Sequence, residues 1–171
     1  MVNQLIGQIR RLTYPASQLE AFLLTEQSDT ETHATLTLCD LPDNVMLLKL
    51  PPGPIMTKPR TLNYGLGFCS GDIVGIYDAE DRPDPDQIEQ AVAKFAASPS
   101  DVVCLQGVLD TYNSDTNWLT RCFTIEYAVW FWLILPGMVN LGMVIPLGSK
   151  TVFFRRAALN EMGGWDAHNV T

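Results

Sequence analysis

Asp72-Ile-Val-Gly-Ile-Tyr-Asp-Ala-Glu-Asp-Arg-Pro-Asp-Pro-Asp86 runs an apolar segment straight into a knot of carboxylates. Ile73, Val74, Ile76 and Tyr77 have the β-branched and aromatic content of a buried strand. Asp78, Glu80 and Asp81 then crowd the turn that leaves it. In an open α/β sheet, ligands bind beyond the carboxyl ends of the strands. Carboxylates this close repel one another unless a cation, a proton or solvent relieves them. A hard divalent ion shared between protein oxygens and a substrate phosphate is one solution. The other is a solvated acidic turn leading into a helix, with Asp84 as N-cap and Pro85 at the first helical position.

Working outward, apolar runs alternate with helical patterns. Upstream, Leu5, Ile6, Ile9 and Leu12 predict an amphipathic helix that stops before Pro15. Leu19 to Thr25 reads as a strand, Glu31 to Leu38 as a helix and Val45 to Leu50 as a strand ended by Pro51-Pro52-Gly53-Pro54. A helix from Lys58 or Pro59 to Phe68 then leads to the acidic strand. Downstream, Ile88, Val92 and Phe95 give a helix its buried stripe, and Val102 to Leu109 reads as a strand. Thr151 to Arg155 follows as a strand and Ala157 to Met162 as a helix, with Gly163 as its C-cap. This rhythm predicts a doubly wound α/β sheet.

The 171 residues, 47% hydrophobic and 18% charged, form a single globular domain with a core of its own. A net charge of −8 and the absence of any Lys/Arg cluster argue against a nucleic-acid surface. Cys39, Cys69, Cys104 and Cys122 lack zinc-ligand spacing, and their apolar settings suit buried thiols in a reducing compartment. No signal peptide is read at the start, so the expected location is the cytoplasm or the cytoplasmic face of a membrane.

Tyr127 to Leu147 contains no charge and carries Trp130, Phe131 and Trp132 at one end. It reaches the roughly 20 residues of a membrane span. Pro136-Gly137, Asn140, Gly142 and Pro146 interrupt it, however, and favour a buried or interface-lying helix followed by a loop. Peripheral contact of this stretch with a bilayer is the expectation.

Five motifs in order carry a family resemblance. They are Leu23-Leu24-Thr25-Glu26-Gln27-Ser28-Asp29-Thr30-Glu31-Thr32, Lys58-Pro59-Arg60-Thr61-Leu62-Asn63, Asp78-Ala79-Glu80, Leu147-Gly148 through Phe154-Arg155-Arg156, and Ala158-Leu159 with Gly163-Gly164-Trp165-Asp166. Together they resemble glycosyltransferase family 2, nucleotide-sugar-dependent transferases of the GT-A fold. The resemblance covers essentially the whole chain. It implies a GT-A-like doubly wound mixed sheet with helices on both faces, residues 1–171 being the donor-binding portion of such a domain. The family's first strand and its C-terminal part would lie outside the chain.

The resemblance also implies roles. Asp78 and Glu80 would hold Mg²⁺ or Mn²⁺ against the diphosphate of a nucleotide sugar, with a UDP-sugar the first expectation. Lys58 would meet the nucleotide or diphosphate, and Glu26 stands where the family uses an acid to accept a hydrogen bond from the base. Thr25-Glu26 replaces the family's Asp-Asp, and Glu80 replaces its second metal-binding Asp, moving the oxygens out by one methylene. Where the family has a small Gly-rich acceptor loop, this chain has Ser149-Lys150-Thr151-Val152. The base that deprotonates the acceptor hydroxyl belongs to a Glu-Asp pair after Asn169-Val170-Thr171, so no catalytic residue is assigned; Asp110 and Asp166 stand in no suitable motif. The resulting expectation is a segment that binds donor and metal for inverting transfer but transfers little or nothing as the isolated chain. The alternative is a non-catalytic fragment that binds a membrane or a partner through Tyr127 to Leu147.

Overall fold

A computed structural model describes residues 2–148 and 150–169. In chain order the elements are α1 (Val2–Arg11), β1 (Ala21–Glu26), α2 (Thr30–Thr37), β2 (Val45–Leu50), α3 (Lys58–Leu66), β3 (Ile73–Ile76), α4 (Gln87–Ala97), β4 (Cys104–Gln106), a long helix made of α5 (Trp118–Val129), a π-helical stretch (Trp130–Ile134) and α6 (Leu135–Asn140), then β5 (Val152–Arg155) and α7 (Arg156–Glu161). β1 and β2 pair in parallel, from Ala21 opposite Val45 to Glu26 opposite Leu50. β5 runs antiparallel between β3 and β4. The strands are therefore mixed in direction and divide into a pair and a triplet.

Alternation along the strands puts helices on both faces. In β1, Leu23 packs with Ile6 of α1, Leu36 of α2 and Val45. The next residue, Leu24, points the other way against α3. There Gly65 lets the helix in: a Cβ on it would stand 2.8 Å from Leu24 Cδ1. In β5, Phe153 turns to Ala91 and Phe95 of α4, whereas Val152 and Phe154 turn to Leu159 of α7 and to Leu62 and Leu66 of α3. Helix α3 thus spans both groups of strands. A polar tie adds to it. The Glu20 carboxylate, just before β1, accepts hydrogen bonds from the Ser70 and Gly71 N–H groups before β3, at 2.6 and 2.9 Å.

Three elements differ from the sequence-based expectation. The helix read from Asp84 begins at Gln87 instead, with Asp86 at its N-cap position. Pro85 and Asp86 form a preceding turn instead, closed by the Gln87 N–H on the Asp84 carbonyl at 3.0 Å. The strand read over Val102–Leu109 is confined to Cys104–Gln106. Its ladder ends where Thr151 takes a left-handed φ of 54°.

The third difference is that Pro136 and Gly137 do not break the apolar stretch. The helix runs from Trp118 to Asn140. It opens on a capping box between Asn117 and Thr120. Widening to π geometry just before Pro136 relieves the clash that a proline ring makes with the preceding turn. At 23 residues the helix is long and apolar enough to cross a membrane, and only 11% of its most apolar window is buried. Phe131 and Leu135 are buried, whereas Trp118, Ile125, Trp132 and Leu133 face outward.

Candidate functional site

The acidic turn after β3 is built from its own backbone. The Asp78 N–H donates to Asp81 Oδ2 at 2.8 Å, and the Asp81 N–H returns to the Asp78 carbonyl at 3.0 Å. Asp81 is therefore the clamp of the turn, and its side chain is only 11% exposed. Asp78 and Glu80 project from the clamped turn.

Lys58 reaches the turn from the first position of α3. Thr57 is the N-cap, its hydroxyl accepting the Arg60 N–H at 3.4 Å, and Pro59 suits the first turn. The Thr57 hydroxyl also donates to the Ala167 carbonyl at 2.7 Å. From this fixed start Lys58 Nζ donates to Asp78 Oδ1. On the other side Lys150 Nζ lies 3.5 Å from Asp81 Oδ1 and 3.9 Å from Glu80 Oε1. Burial disfavours the Lys150 ammonium, but Asp81 and Asp78, with Glu80 behind them, outweigh it and raise its pKa above the ordinary lysine value. Three carboxylates thus share one end of β3 with two lysines.

Glu26, at the carboxyl end of β1, sits against Arg60. Arg60 Nη1 approaches Glu26 Oε1 and Oε2 at 3.2 and 3.5 Å, and Nη2 donates to the Pro51 carbonyl. The opening turn of α3 therefore serves two acids, Asp78 through Lys58 and Glu26 through Arg60. Sequence reasoning singled out Lys58 and missed Arg60, whose only signal was its place two residues further along the same motif. Lys150 was noted as a departure from a family loop, and nothing in the order of residues showed where its ammonium would go.

A cavity of about 530 Å³ opens beside Lys58. Ile76, Val152, Phe154 and Trp165 give it an apolar floor, and Lys58 and Asp166 stand at its polar rim. Its far wall is pinned by Asn63, whose side-chain amide donates to the Trp165 carbonyl at 2.7 Å and accepts the Trp165 N–H at 2.8 Å. Asp166 Oδ1 accepts the His168 N–H at 3.0 Å. Asp110 Oδ1 accepts the N–H of Thr111 at 2.7 Å.

The oxygen donors of Asp78 and Glu80 are of the hard type that Mg²⁺ and Mn²⁺ accept. Among the described residues no group of three His, Cys, Asp or Glu side chains closes round a common point. Two carboxylates alone would leave most of a divalent ion's shell to water or other oxygens, as is ordinary for Mg²⁺.

The site thus stands on a mixed α/β core, with a carboxylate turn beyond β3, an edge strand of the triplet. Residues 73–171, more than half of the chain, match the family described as glycosyl transferase family group 2, and the chain belongs to that family. It is 23% identical over 168 residues to the probable glycosyltransferase YdaM of Bacillus subtilis, covering 97% of this chain and 40% of that protein. It is 24% identical over 172 residues to the beta-monoglucosyldiacylglycerol synthase of Trichormus variabilis, covering 100% of this chain and 36% of that protein. The chain thus spans well under half the length of these relatives. In structure it resembles the mannosyltransferase PcManGT from Pyrobaculum calidifontis in complex with GDP-Man and Mn2+, with a TM-score of 0.67, 20% identity and coverage of 98% of this chain and 44% of the other. It also resembles S. aureus TarS in complex with UDP-GlcNAc, with a TM-score of 0.60, 13% identity and coverage of 95% and 44%. These likenesses establish a GT-A-type fold.

Proposed function

We propose that residues 1–171 are the donor-binding portion of a glycosyltransferase domain, taking a nucleotide-diphosphate sugar at the turn after β3. The observation that carries this reading is the Lys58–Asp78 ion pair at the edge of the cavity that Lys58 lines, with Glu80 two residues further along the same turn. Lys58 donates to diphosphate oxygens, exchanging one anionic partner for another. Glu26 accepts from the nucleotide base, held in orientation by Arg60. Asp78 and Glu80 hold a divalent ion, which supplies charge neutralisation on the departing diphosphate. In the reaction of the whole enzyme an acceptor hydroxyl oxygen bonds to the anomeric carbon as the bond to the diphosphate oxygen breaks, inverting that centre. No base for the hydroxyl proton is assigned among the described residues. Support for the donor class comes from the structural neighbours, one holding GDP-Man with Mn2+ and one UDP-GlcNAc.

Calorimetric titration with UDP and Mn²⁺ tests the site. Asp78→Ala is expected to weaken metal-dependent UDP binding about 100-fold, equivalent to about 2.7 kcal/mol. Equal heats for the wild type and the variant would remove Asp78 from the site. A parallel titration with GDP reads the base preference, for which UDP is the first choice.

A second reading concerns location and is carried by the outward apolar face of Trp118–Asn140. The helix lies against the cytoplasmic face of a bilayer, its tryptophans at headgroup depth. A relative named as a synthase of a glucosylated diacylglycerol is consistent with work at a lipid surface. Flotation with phosphatidylcholine vesicles tests this: protein that stays at the bottom of the gradient contradicts it. Binding that survives Asp78→Ala and fails in the Trp130→Ala, Trp132→Ala double variant assigns the contact to the helix alone.

A further inference from the structure

We propose that Lys150 is a built-in counter-cation of the donor site, set against Asp81 and against Glu80, one of the two carboxylates given to the divalent ion, so that the two cations compete for Glu80. The proposal rests on the donor-site reading and deepens it. Lys150 Nζ stands 3.5 Å from Asp81 Oδ1 and 3.9 Å from Glu80 Oε1, with its side chain 30% exposed. It is not a surface lysine that happens to lie nearby, because the backbone carrying it is fixed at several points.

Gln106, the last residue of β4, clasps the loop from both ends. Its Oε1 accepts the Gly148 N–H at 2.7 Å, and its Nε2 donates to the Lys150 carbonyl at 3.2 Å. Thr151, next in the chain, is 5% exposed, its N–H donating to the Ile76 carbonyl and its carbonyl accepting the Gly107 N–H, each at 2.8 Å. It holds a φ of 54°, the one non-glycine residue with positive φ among those described. That conformation is unfavourable for a β-branched residue and persists only where the surroundings impose it. Gly107 makes room for it, since a Cβ there would approach the Thr151 carbonyl oxygen to 3.0 Å and collide with its methyl group. A strained, buried, doubly clamped residue therefore aims Lys150 at the carboxylates. The burden falls on a position where a small, flexible segment would have left the acidic turn open.

The consequence is an order of binding. Without nucleotide, the Lys58 and Lys150 ammonium groups already offset much of the charge on Asp78, Glu80 and Asp81, and a divalent ion gains little by entering. A diphosphate supplies new oxygens to which Lys150 transfers, freeing Glu80 for the metal. Metal binding in this chain is thereby conditional on the donor.

Mn²⁺ titration followed by electron paramagnetic resonance, with no nucleotide present, reads this directly. Lys150→Met is expected to bind Mn²⁺ about ten-fold more tightly than the wild type, equivalent to about 1.4 kcal/mol. Lys150→Arg keeps the charge and is expected to bind as weakly as the wild type, which separates competition from a loosened loop. Adding UDP should tighten Mn²⁺ binding to the wild type by a larger factor than to Lys150→Met. Equal Mn²⁺ affinities for wild type and Lys150→Met, both lost in Asp78→Ala, overturn the competition and leave the donor site standing. Absence of Mn²⁺ binding in all three, with or without UDP, overturns both.

Discussion

At the carboxyl end of β3, Asp78, Glu80 and Asp81 are each set against a lysine, and every buried side-chain nitrogen and oxygen among the described residues has a hydrogen-bond partner. Along Trp118–Asn140 the balance is the opposite: Trp118 is 75% exposed and Trp132 72% exposed, with little of the described chain laid over them. The first region satisfies its charges from within the chain. The second leaves a broad apolar face uncovered, the kind of surface that marks an interaction site. A polar site advertises itself through pairs, whereas an interface advertises itself through what is left uncovered.

The sharpest way to break the contrast is to truncate one aromatic in each region. Phe153 is 4% exposed, packed on Ala91 and Phe95 and met edge-on by Tyr77 at 5.9 Å between ring centroids. Phe153→Ala is expected to lower unfolding free energy by about 3–5 kcal/mol through lost burial and the cavity left behind. Trp132→Ala, by contrast, should change it by no more than about 0.5 kcal/mol. Urea denaturation followed by circular dichroism compares the two. A Trp132 variant as damaged as the Phe153 variant would mean that the helix is packed on the protein and that its open face is not a free surface.

The next contrast is functional. Trp130→Ala with Trp132→Ala is expected to lower vesicle partitioning about ten-fold or more, from the apolar area the two indoles would bury at roughly 25 cal/mol per Å². Nucleotide binding should be unmoved, since both residues lie outside the site. A fall in UDP affinity alongside partitioning would join the two regions into one functional surface.

How much of this was legible beforehand follows the same division. Strand β3 and its acidic turn could be read because a β-branched run and a carboxylate cluster are local signals. The helix start at Lys58 was local as well, with Thr57 and Pro59 marking it. The start of α4 was less legible, because Pro85 and Asp86 close a single turn onto the Asp84 carbonyl before the regular helix begins at Gln87. The continuity of Trp118–Asn140 through Pro136 was not legible, because relief by π geometry depends on a register that composition does not reveal. Arg60 on Glu26 spans 34 residues, and Lys150 stands about seventy residues beyond its carboxylates. Those meetings exist only once α3 and β5 have been laid beside β3. The separation of the strands into a pair and a triplet was likewise a matter of pairing and could not be read from the runs themselves.

The smallest predicted effect concerns the polar tie between the two groups of strands. Glu20 accepts the Ser70 and Gly71 N–H groups and the Ser70 hydroxyl, at 2.6, 2.9 and 3.1 Å, while Arg156 donates to the Gly71 and Ser70 carbonyls at 2.5 and 3.0 Å. Burial opposes its ionisation, but the hydrogen bonds from Gly71 and Ser70 and the charge of Arg156 outweigh that and hold its carboxyl below the ordinary glutamate value. A depressed folded-state pKa contributes stability that is present above the unfolded value and is lost as pH falls through the folded one. Discounted for its partial exposure, the contribution is about 1 kcal/mol. Glu20→Gln should therefore be less stable than the wild type at neutral pH, and the gap should close as the solution is acidified below the ordinary glutamate pKa. A gap that stays constant down to the acid limit would show that the tie works through shape and neutral hydrogen bonding. In that case the charge on Glu20 plays no part in joining the two groups of strands, and they are held by α3 packing and neutral hydrogen bonds.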